Sequence, residues 1–253
     1  MGSCTGFDRG DLGVRRNTDP EVTSSGAVVF IHGQPGSASD FSDLVRRLPS
    51  RVTTVTYDRP GWGRNPNDVT DIDGNVKYLV EEVLGERFEK VVLVGYSYGS
   101  AVALKAAVDY PQRVSGLILV APVGSTESIS STDMLLVVAT RFLQSFPVQR
   151  MLWRWKGSSR TISESFHSEQ LGLRVELEKL SRMIPRIEHR VELIAGMDDL
   201  LNPLRGTLWL LDTLPNSRLT LLKDVGHLLT TQAPANIAAK IFDIWSDQVD
   251  RRE

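Results

Sequence analysis

The stretch Val91-Val92-Leu93-Val94-Gly95-Tyr96-Ser97-Tyr98-Gly99-Ser100 decides how the rest of the chain is read. Four apolar residues, three of them β-branched, predict a short strand buried on both faces. Ser100 to Val108, which reads SAVALKAAV, is dense in helix formers and ends before Asp109-Tyr110-Pro111, where proline disfavours helix at the residue before it. A buried strand that passes at once into a helix must reverse within a few residues. The apex residue is therefore forced into strained backbone geometry with its side chain exposed, and that residue is Ser97. Gly95 and Gly99 flank it where a Cβ would crowd the neighbouring strand or helix. G-x-S-x-G alone is a weak signal; between a strand and a helix it points to a nucleophile.

A serine hydroxyl is a poor nucleophile near neutral pH and needs a base, which in turn needs an orienting group. The chain has four histidines. His32 ends the apolar run Ala27-Val28-Val29-Phe30-Ile31 and reads as a residue shaping the turn there. His167 lies in a Ser/Glu-rich stretch and His189 precedes another apolar run, so both read as surface or connecting residues. His227 follows Arg218 to Leu222, a strand candidate, and the short loop Lys223-Asp224-Val225-Gly226, which puts it at a strand's carboxyl end, where open α/β sheets build sites. His227 is the favoured base. The acid is expected between them in the order Ser, Asp or Glu, His. Val191 to Ala195 reads as a strand, and the loop leaving it, Gly196-Met197-Asp198-Asp199-Leu200-Leu201-Asn202-Pro203, offers two aspartates, either of which also suits the cap of a helix starting near Pro203. Two donors should face the oxygen that becomes negative during addition to a carbonyl. One is expected from the backbone N–H of Tyr98 at the helix start, and the other from the turn His32-Gly33-Gln34-Pro35-Gly36-Ser37. There Pro35 lacks an N–H and biases Gln34 towards an extended conformation, making Gln34 the natural donor.

Together, His32-Gly33-Gln34-Pro35-Gly36, Tyr57-Asp58-Arg59-Pro60-Gly61-Trp62-Gly63-Arg64, Gly95-Tyr96-Ser97-Tyr98-Gly99, Gly196 to Pro203 and Gly226-His227 resemble the α/β-hydrolase superfamily, from Ala27 to about Trp245. The resemblance implies a G-x-x-D-x-x-x-P pattern after the acid's strand, which selects Asp199 over Asp198. It also implies a mostly parallel sheet with helices on both faces and a helical cap inserted after the sixth strand. Relatives that open epoxides or remove halide carry Asp where this chain has Ser97.

The scaffold is also legible without the resemblance. Val52 to Tyr57, Val91 to Val94 and Val114 to Val120 read as strands, and Phe41 to Leu48, Ile72 to Leu84, Ser100 to Val108, Leu204 to Leu214 and Ala235 to Asp247 as helices. Their alternation predicts an α/β fold with parallel pairing and right-handed crossovers. Residues 123–188 break the rhythm. They hold no convincing strand and read as a lid: a helix begins at Asp133 and is interrupted at Phe146-Pro147, a polar stretch follows, and helical character returns from Leu171 to Met183. The expected organisation is an irregular segment 1–25, core 26–122, cap 123–188 and core 189–253. Met134, Phe142, Phe146, Met151 and Trp153 either pack the lid onto the core or line a pocket for an apolar or aromatic substrate. Arg150, Arg154 and Lys156 beside two tryptophans admit a third reading, a face lying on lipid. From Val123 to Arg190, ten Lys/Arg against seven Asp/Glu is too small an excess to imply an anionic substrate.

Composition narrows the classes. A chain of 253 residues with 41% hydrophobic and 24% charged residues suffices for one domain with a continuous core. A net charge of −2 argues against a nucleic-acid binder. The single cysteine, Cys4, forbids an internal disulfide and any cysteine cluster for zinc, so a reducing, cytoplasmic setting without structural metal or cofactor is expected. No apolar run reaches the roughly 18–20 residues of a membrane span, and no apolar signal core lies near the start. Met1-Gly2-Ser3-Cys4 loosely resembles a lipid-attachment site, but Gly6 stands where myristoylation wants Ser or Thr. Asp8 to Ser25 is polar and poor in alternation, so one or both of the family's edge strands are expected to be missing or irregular.

The expected function is a cofactor-independent serine hydrolase acting on a carboxylic ester of a small or medium apolar molecule. C–C, amide, thioester or lactone cleavage on the same residues stays open, as does a ligand-binding protein that kept the fold and lost turnover. The partner is a small-molecule substrate, membrane contact is not expected, and these residues do not specify an oligomeric state.

Overall fold

The computed structural model describes residues 15–17, 25–129 and 158–250. The expectations placed on Cys4, Met134, Phe142, Phe146, Met151 and Trp153, and the lipid-facing reading of Arg150, Arg154 and Lys156, lie outside the described residues.

Seven strands form one sheet in the order β1-β3-β2-β4-β5-β6-β7. They are β1 (Arg15–Asn17), β2 (Ser25–Ile31), β3 (Thr54–Thr56), β4 (Lys90–Tyr96), β5 (Val114–Val120), β6 (Val191–Gly196) and β7 (Ser217–Leu222). All neighbours pair in parallel except β1, which runs antiparallel to β3 with Arg15 opposite Thr56. β1 is the short edge strand that the polar N-terminal stretch still supplies, and only three of its residues pair. Among the described residues β5 ends at Val120 and β6 begins at Val191, so residues 123–188 lie between these two strands along the chain.

Parity along the strands assigns the two layers. In β2, β4 and β5, residues Val29, Ile31, Leu93, Leu117 and Leu119 face one side, and Val28, Phe30, Val92, Val94, Ile118 and Val120 face the other. The first side is covered by α2 (Ile72–Tyr78, continued by a π-helical turn to Leu84), α3 (Tyr98–Asp109), α4 (Ser158–Ser181) and α5 (Leu204–Thr213). On the second side lie α1 (Ser42–Val45), the short α6 (Leu229–Gln232) and α7 (Pro234–Asp250). In α7 the buried set Ile237, Ala238, Ile241, Ile244 and Trp245 follows the helical repeat, and Trp245 Nε1 donates to Gly26 O at 2.7 Å. α3 is buried almost all round, which its small residues Ala101, Ala103, Ala106 and Ala107 permit. Among the described residues no helix is long and apolar enough to cross a membrane.

β5 and the helical stretch Ile72 to Leu84 match the expected spans, β4, α3 and α7 extend theirs by one to three residues at each end, and β3 is shorter, Thr54–Thr56 within the expected Val52 to Tyr57. The largest difference is α4: the segment before Leu171 that reads as polar is helical from Ser158. Its buried stripe includes Ser165 and Glu169 alongside Phe166, Leu173, Leu177 and Leu180, so the periodicity is real but partly polar. The expected helix Phe41 to Leu48 is shorter, a 3₁₀ turn from Ala38 to Phe41 leading into α1.

The strand order reverses around β2, since β3 lies on one side of it and β4 on the other. Crevices outside the carboxyl ends at such a reversal are the usual binding sites of open α/β sheets. Ile31 pairs with Gly95, so the turn after β2 and the turn after β4 emerge side by side.

Candidate active site

Ser97 sits between β4 and α3 with φ 53° and ψ −120°, in the positive-φ region that side chains other than glycine rarely adopt. The neighbouring chain leaves no alternative to the two glycines. A Cβ on Gly99 would lie 2.1 Å from Ile31 O, and one on Gly95 would lie 2.6 Å from Gly99 O. The turn is closed by Ser97 N–H donating to Val120 O at 2.9 Å and Ser100 Oγ donating to Gly95 O at 3.0 Å.

His227 and Asp199 leave the carboxyl ends of the adjacent strands β7 and β6. His227 Nδ1 lies 2.9 Å from Asp199 Oδ2. The other carboxylate oxygen, Oδ1, accepts from the amides of Leu201 and Asn202, both at 2.9 Å, which fixes the carboxyl plane. Asp198 instead offers its backbone, its N–H donating to Val225 O at 3.0 Å. Asn202 Nδ2 donates to Ala121 O at 2.5 Å, tying this loop to the end of β5.

Ser97, His227, Gln34 and Tyr98 line one cleft of about 90 Å³ as bounded by the described residues, with Asn202 at its side. α4 contributes Phe166, Gln170 and Leu173 to the same lining. No hydrogen bond joins the Ser97 hydroxyl to the His227 ring among the described residues; contacts of this kind often tighten only when substrate is bound. Nor do the Gln34 and Tyr98 amides have acceptors among the described residues. Tyr98 is the first residue of α3, whose early amides have no intrahelical partner.

Tyr96, the residue before Ser97 in the motif, supports the site. Its hydroxyl donates to His227 O at 3.0 Å, and its ring lies 5.5 Å from the imidazole. Burial, followed by the negative charges of Asp199 and Asp40, raises its phenol above the ordinary range and keeps it a neutral donor. No feature of the sequence marks this contact, which spans 131 positions.

The turn after β2 is built from buried polar groups. His32 Nε2 accepts from Arg59 N–H at 2.9 Å, and its Nδ1 lies 2.8 Å from Gly33 O. Burial first and the positive charge of Arg59 second hold His32 well below its ordinary value, so it is neutral near pH 7. A neutral ring accepting at Nε2 carries its proton on Nδ1 and donates it to Gly33 O. Asp58 accepts from Ala38 N–H at 2.7 Å and Arg64 N–H at 2.8 Å, joining the loop after β3 to the turn after Gln34. His167 is on α4. His189 Nε2 lies 3.0 Å from Pro111 O, far from this cleft. Among the described residues no three His, Cys, Asp or Glu side chains gather to hold a metal.

A hydroxyl at a strained turn, an imidazole anchored by a carboxylate and two amides without acceptors in one cleft form a set suited to nucleophilic addition with proton transfer. The chain is also similar to known hydrolases. A putative carbamate hydrolase, RutD, of Escherichia coli O81 (strain ED1a) is 24% identical over 259 residues, covering 92% of this chain and 96% of its own. A pimeloyl-[acyl-carrier protein] methyl ester esterase of Edwardsiella ictaluri is 34% identical over a shorter stretch of 94 residues, 37% of this chain and 35% of its own. Among solved structures, a 2-hydroxy-6-oxo-6-phenylhexa-2,4-dienoate hydrolase from Rhodococcus sp. superposes with a TM-score of 0.71 at 24% identity, covering 92% of this chain and 94% of that one. At that identity the superposition speaks for the fold. The model of the alpha/beta hydrolase family matches residues 28–240, and the chain belongs to that family.

Proposed function

We propose that this chain is a serine hydrolase that cleaves a carboxylic ester of a small or medium apolar molecule through an acyl-enzyme. The observation that carries this reading is the His227–Asp199 contact at 2.9 Å in the cleft that Ser97 also lines. In the proposed reaction Ser97 Oγ attacks the ester carbonyl while His227 Nε2 takes the hydroxyl proton. Asp199 holds the imidazole in the tautomer that leaves Nε2 free and stabilises the imidazolium. The amides of Gln34 and Tyr98 donate to the tetrahedral oxyanion. His227 then returns its proton to the departing alcohol, leaving the acyl group on Ser97. Water attacks this second ester with His227 again as base, and as the C–O bond to Ser97 breaks His227 returns the proton to Oγ, releasing the carboxylic acid and regenerating free Ser97. No step needs a metal or cofactor.

Residues 123–188 are proposed to act as a cap over this cleft; the lining contributed by α4 supports this. The mixed character of that lining, Phe166, Leu173 and Ile129 beside Gln170, Ser128 and Asn202, supports an apolar substrate with a polar reacting group. Nucleic acid is not a proposed partner, and the single cysteine supports a reducing, cytoplasmic setting.

The test is covalent labelling by a fluorophosphonate together with turnover of a mixed panel of aryl esters, amides, thioesters, lactones and vinylogous 1,5-diketones. Labelling of the parent protein, its loss in Ser97→Ala, and esters turned over fastest are expected. Undiminished labelling of Ser97→Ala would place the nucleophile elsewhere. Fastest turnover of another bond type would reassign the substrate while keeping the machinery. A parent that is inert to the panel yet binds a small ligand tightly would favour a receptor.

A further inference from the structure

Arg59 and Glu169 form an ion pair whose two side chains are both fully shielded from solvent. Arg59 Nη1 contacts Glu169 Oε1, Nη2 lies 3.3 Å from Oε2, and Trp62 Nε1 donates to Oε1 at 3.1 Å. Arg59 belongs to the loop after β3 and Glu169 to α4, 110 positions later. Such a pair gains little net stability, since desolvating two charges offsets most of their attraction, and apolar replacements of both are often neutral or stabilising. Its consequence here is geometric. The same guanidinium also donates from Nη1 to Asn75 Oδ1 on α2 at 3.3 Å, and its other donors run to the turn after β2, with Nε on His32 O and Nη2 on Gly33 O, each at 3.0 Å.

Gly33 O thus accepts twice, from Arg59 Nη2 and from His32 Nδ1, which occupies both of its lone pairs. That oxygen belongs to the same planar, trans peptide unit as the Gln34 N–H, and in such a unit C=O and N–H point in opposite directions. Pinning the carbonyl on the Arg59 side sends the Gln34 N–H to the other side. The pull of a cation on the carbonyl also polarises the unit and makes the amide a better donor. The guanidinium carbon lies 4.5 Å from the ring centre of Tyr98, the residue proposed to supply the second amide. One cation therefore braces both halves of the proposed oxyanion site, and its own position is set from α4 by the charged Glu169 and from α2 by the neutral Asn75.

We propose that Glu169 and Arg59 are positioning residues for acyl transfer: Glu169 on α4 fixes the guanidinium of Arg59, which aims the Gln34 amide into the cleft. Docking of α4 is then a condition for an effective oxyanion site and does more than cover the substrate. The inference rests on the serine-hydrolase reading above, and the experiment separates the two.

The double variant Arg59→Met/Glu169→Leu removes both charges at similar volume, and Glu169→Gln removes one charge with the shape kept. Each is measured with an activated aryl ester for kcat and KM, with the rate of fluorophosphonate labelling, and by thermal unfolding. The expected result for the double variant is Tm within a few degrees of the parent, KM within about threefold, and kcat and labelling rate lowered by about 10- to 100-fold, somewhat less than the ~10²–10³-fold typical of losing an oxyanion donor outright. For Glu169→Gln about a tenfold loss in kcat is expected, and this variant carries the test if the double variant does not fold. A folded variant of either kind with unchanged kcat and labelling rate overturns the positioning role. So does a rise in KM alone, which would make the network a substrate-pocket wall. A parent that is neither labelled nor active overturns the serine-hydrolase reading and this inference with it. Ser97-dependent labelling with unaffected variants overturns this inference alone.

Discussion

With φ at 53°, Ser97 holds a conformation that costs of order 1–3 kcal/mol, stabilised here by bonds on both sides of it. The residues around it divide the work of holding one imidazole. Asp199 fixes the ring through Nδ1, and Tyr96 fixes the backbone that carries it. Asp199→Asn keeps the volume and reverses the hydrogen-bond preference, so kcat toward an activated ester should fall by about 10³- to 10⁴-fold with little change in Tm. Tyr96→Phe should lower stability by about 1 kcal/mol, the net worth of one hydrogen bond, and reduce kcat only a few-fold; denaturant unfolding and steady-state kinetics on the same preparation check both. Ser97 and His227 were legible as site candidates because each stands in a short turn after an apolar run. Tyr96 was adjacent to a legible residue, but its bond to His227 depends on two distant loops converging, which no local pattern encodes.

At the scale of elements, the apolar runs of β2, β4, β5 and β6 could be recognised because these strands are buried on both faces, and their spans differ from expectation only at the ends. β7 shows mixed exposure at the sheet edge, and the strand candidate Arg218 to Leu222 falls one residue short of it. The first half of α4 was not legible. Hydrophobic periodicity cannot register a stripe in which Ser165 bonds Gly61 O and Glu169 bonds Arg59, because the partners that make those positions internal lie more than 100 positions away. Close approach between elements yields a sharper expectation. Gly99→Ala brings a Cβ against the backbone of Ile31, which cannot step aside as a side chain would, so a loss of about 1–3 kcal/mol or more and disturbed activity are expected, read by thermal unfolding and ester turnover. Ile241→Ala on the opposite layer opens a void under fully buried residues and should cost about 2–5 kcal/mol without changing KM.

For the molecule as a whole, the strand order places the turns after β2, β4, β6 and β7 at one end of the sheet, which is why residues as far apart as Gln34 and His227 line one cleft. The global stability should also depend on pH through His32. The unfolded chain takes up a proton near pH ~6.5 that the folded chain, with this imidazole depressed by burial and by Arg59, refuses. The unfolded state then binds more protons, so stability is full above that pH and declines as the pH falls below it, until the folded ring itself protonates. Asp40 and Glu176, raised by burial, act with the opposite sign nearer the carboxylate range. Urea midpoints are expected to be lower at pH 6 than at pH 8, and His32→Gln should flatten that difference; a midpoint independent of pH in the parent would exclude a neutral, buried His32.

The covering of β2, β4 and β5 by α7 carries a consequence for synthesis. Val28, Phe30, Val92, Val94, Ile118 and Val120 leave the ribosome long before Ile237, Ile241 and Trp245 do, so until α7 is made the central strands display a greasy surface that α1 covers only in part. Nascent chains at that stage are natural clients for holdase chaperones, and the indole of Trp245 can close on Gly26 O only after the 219 positions that separate them have been made.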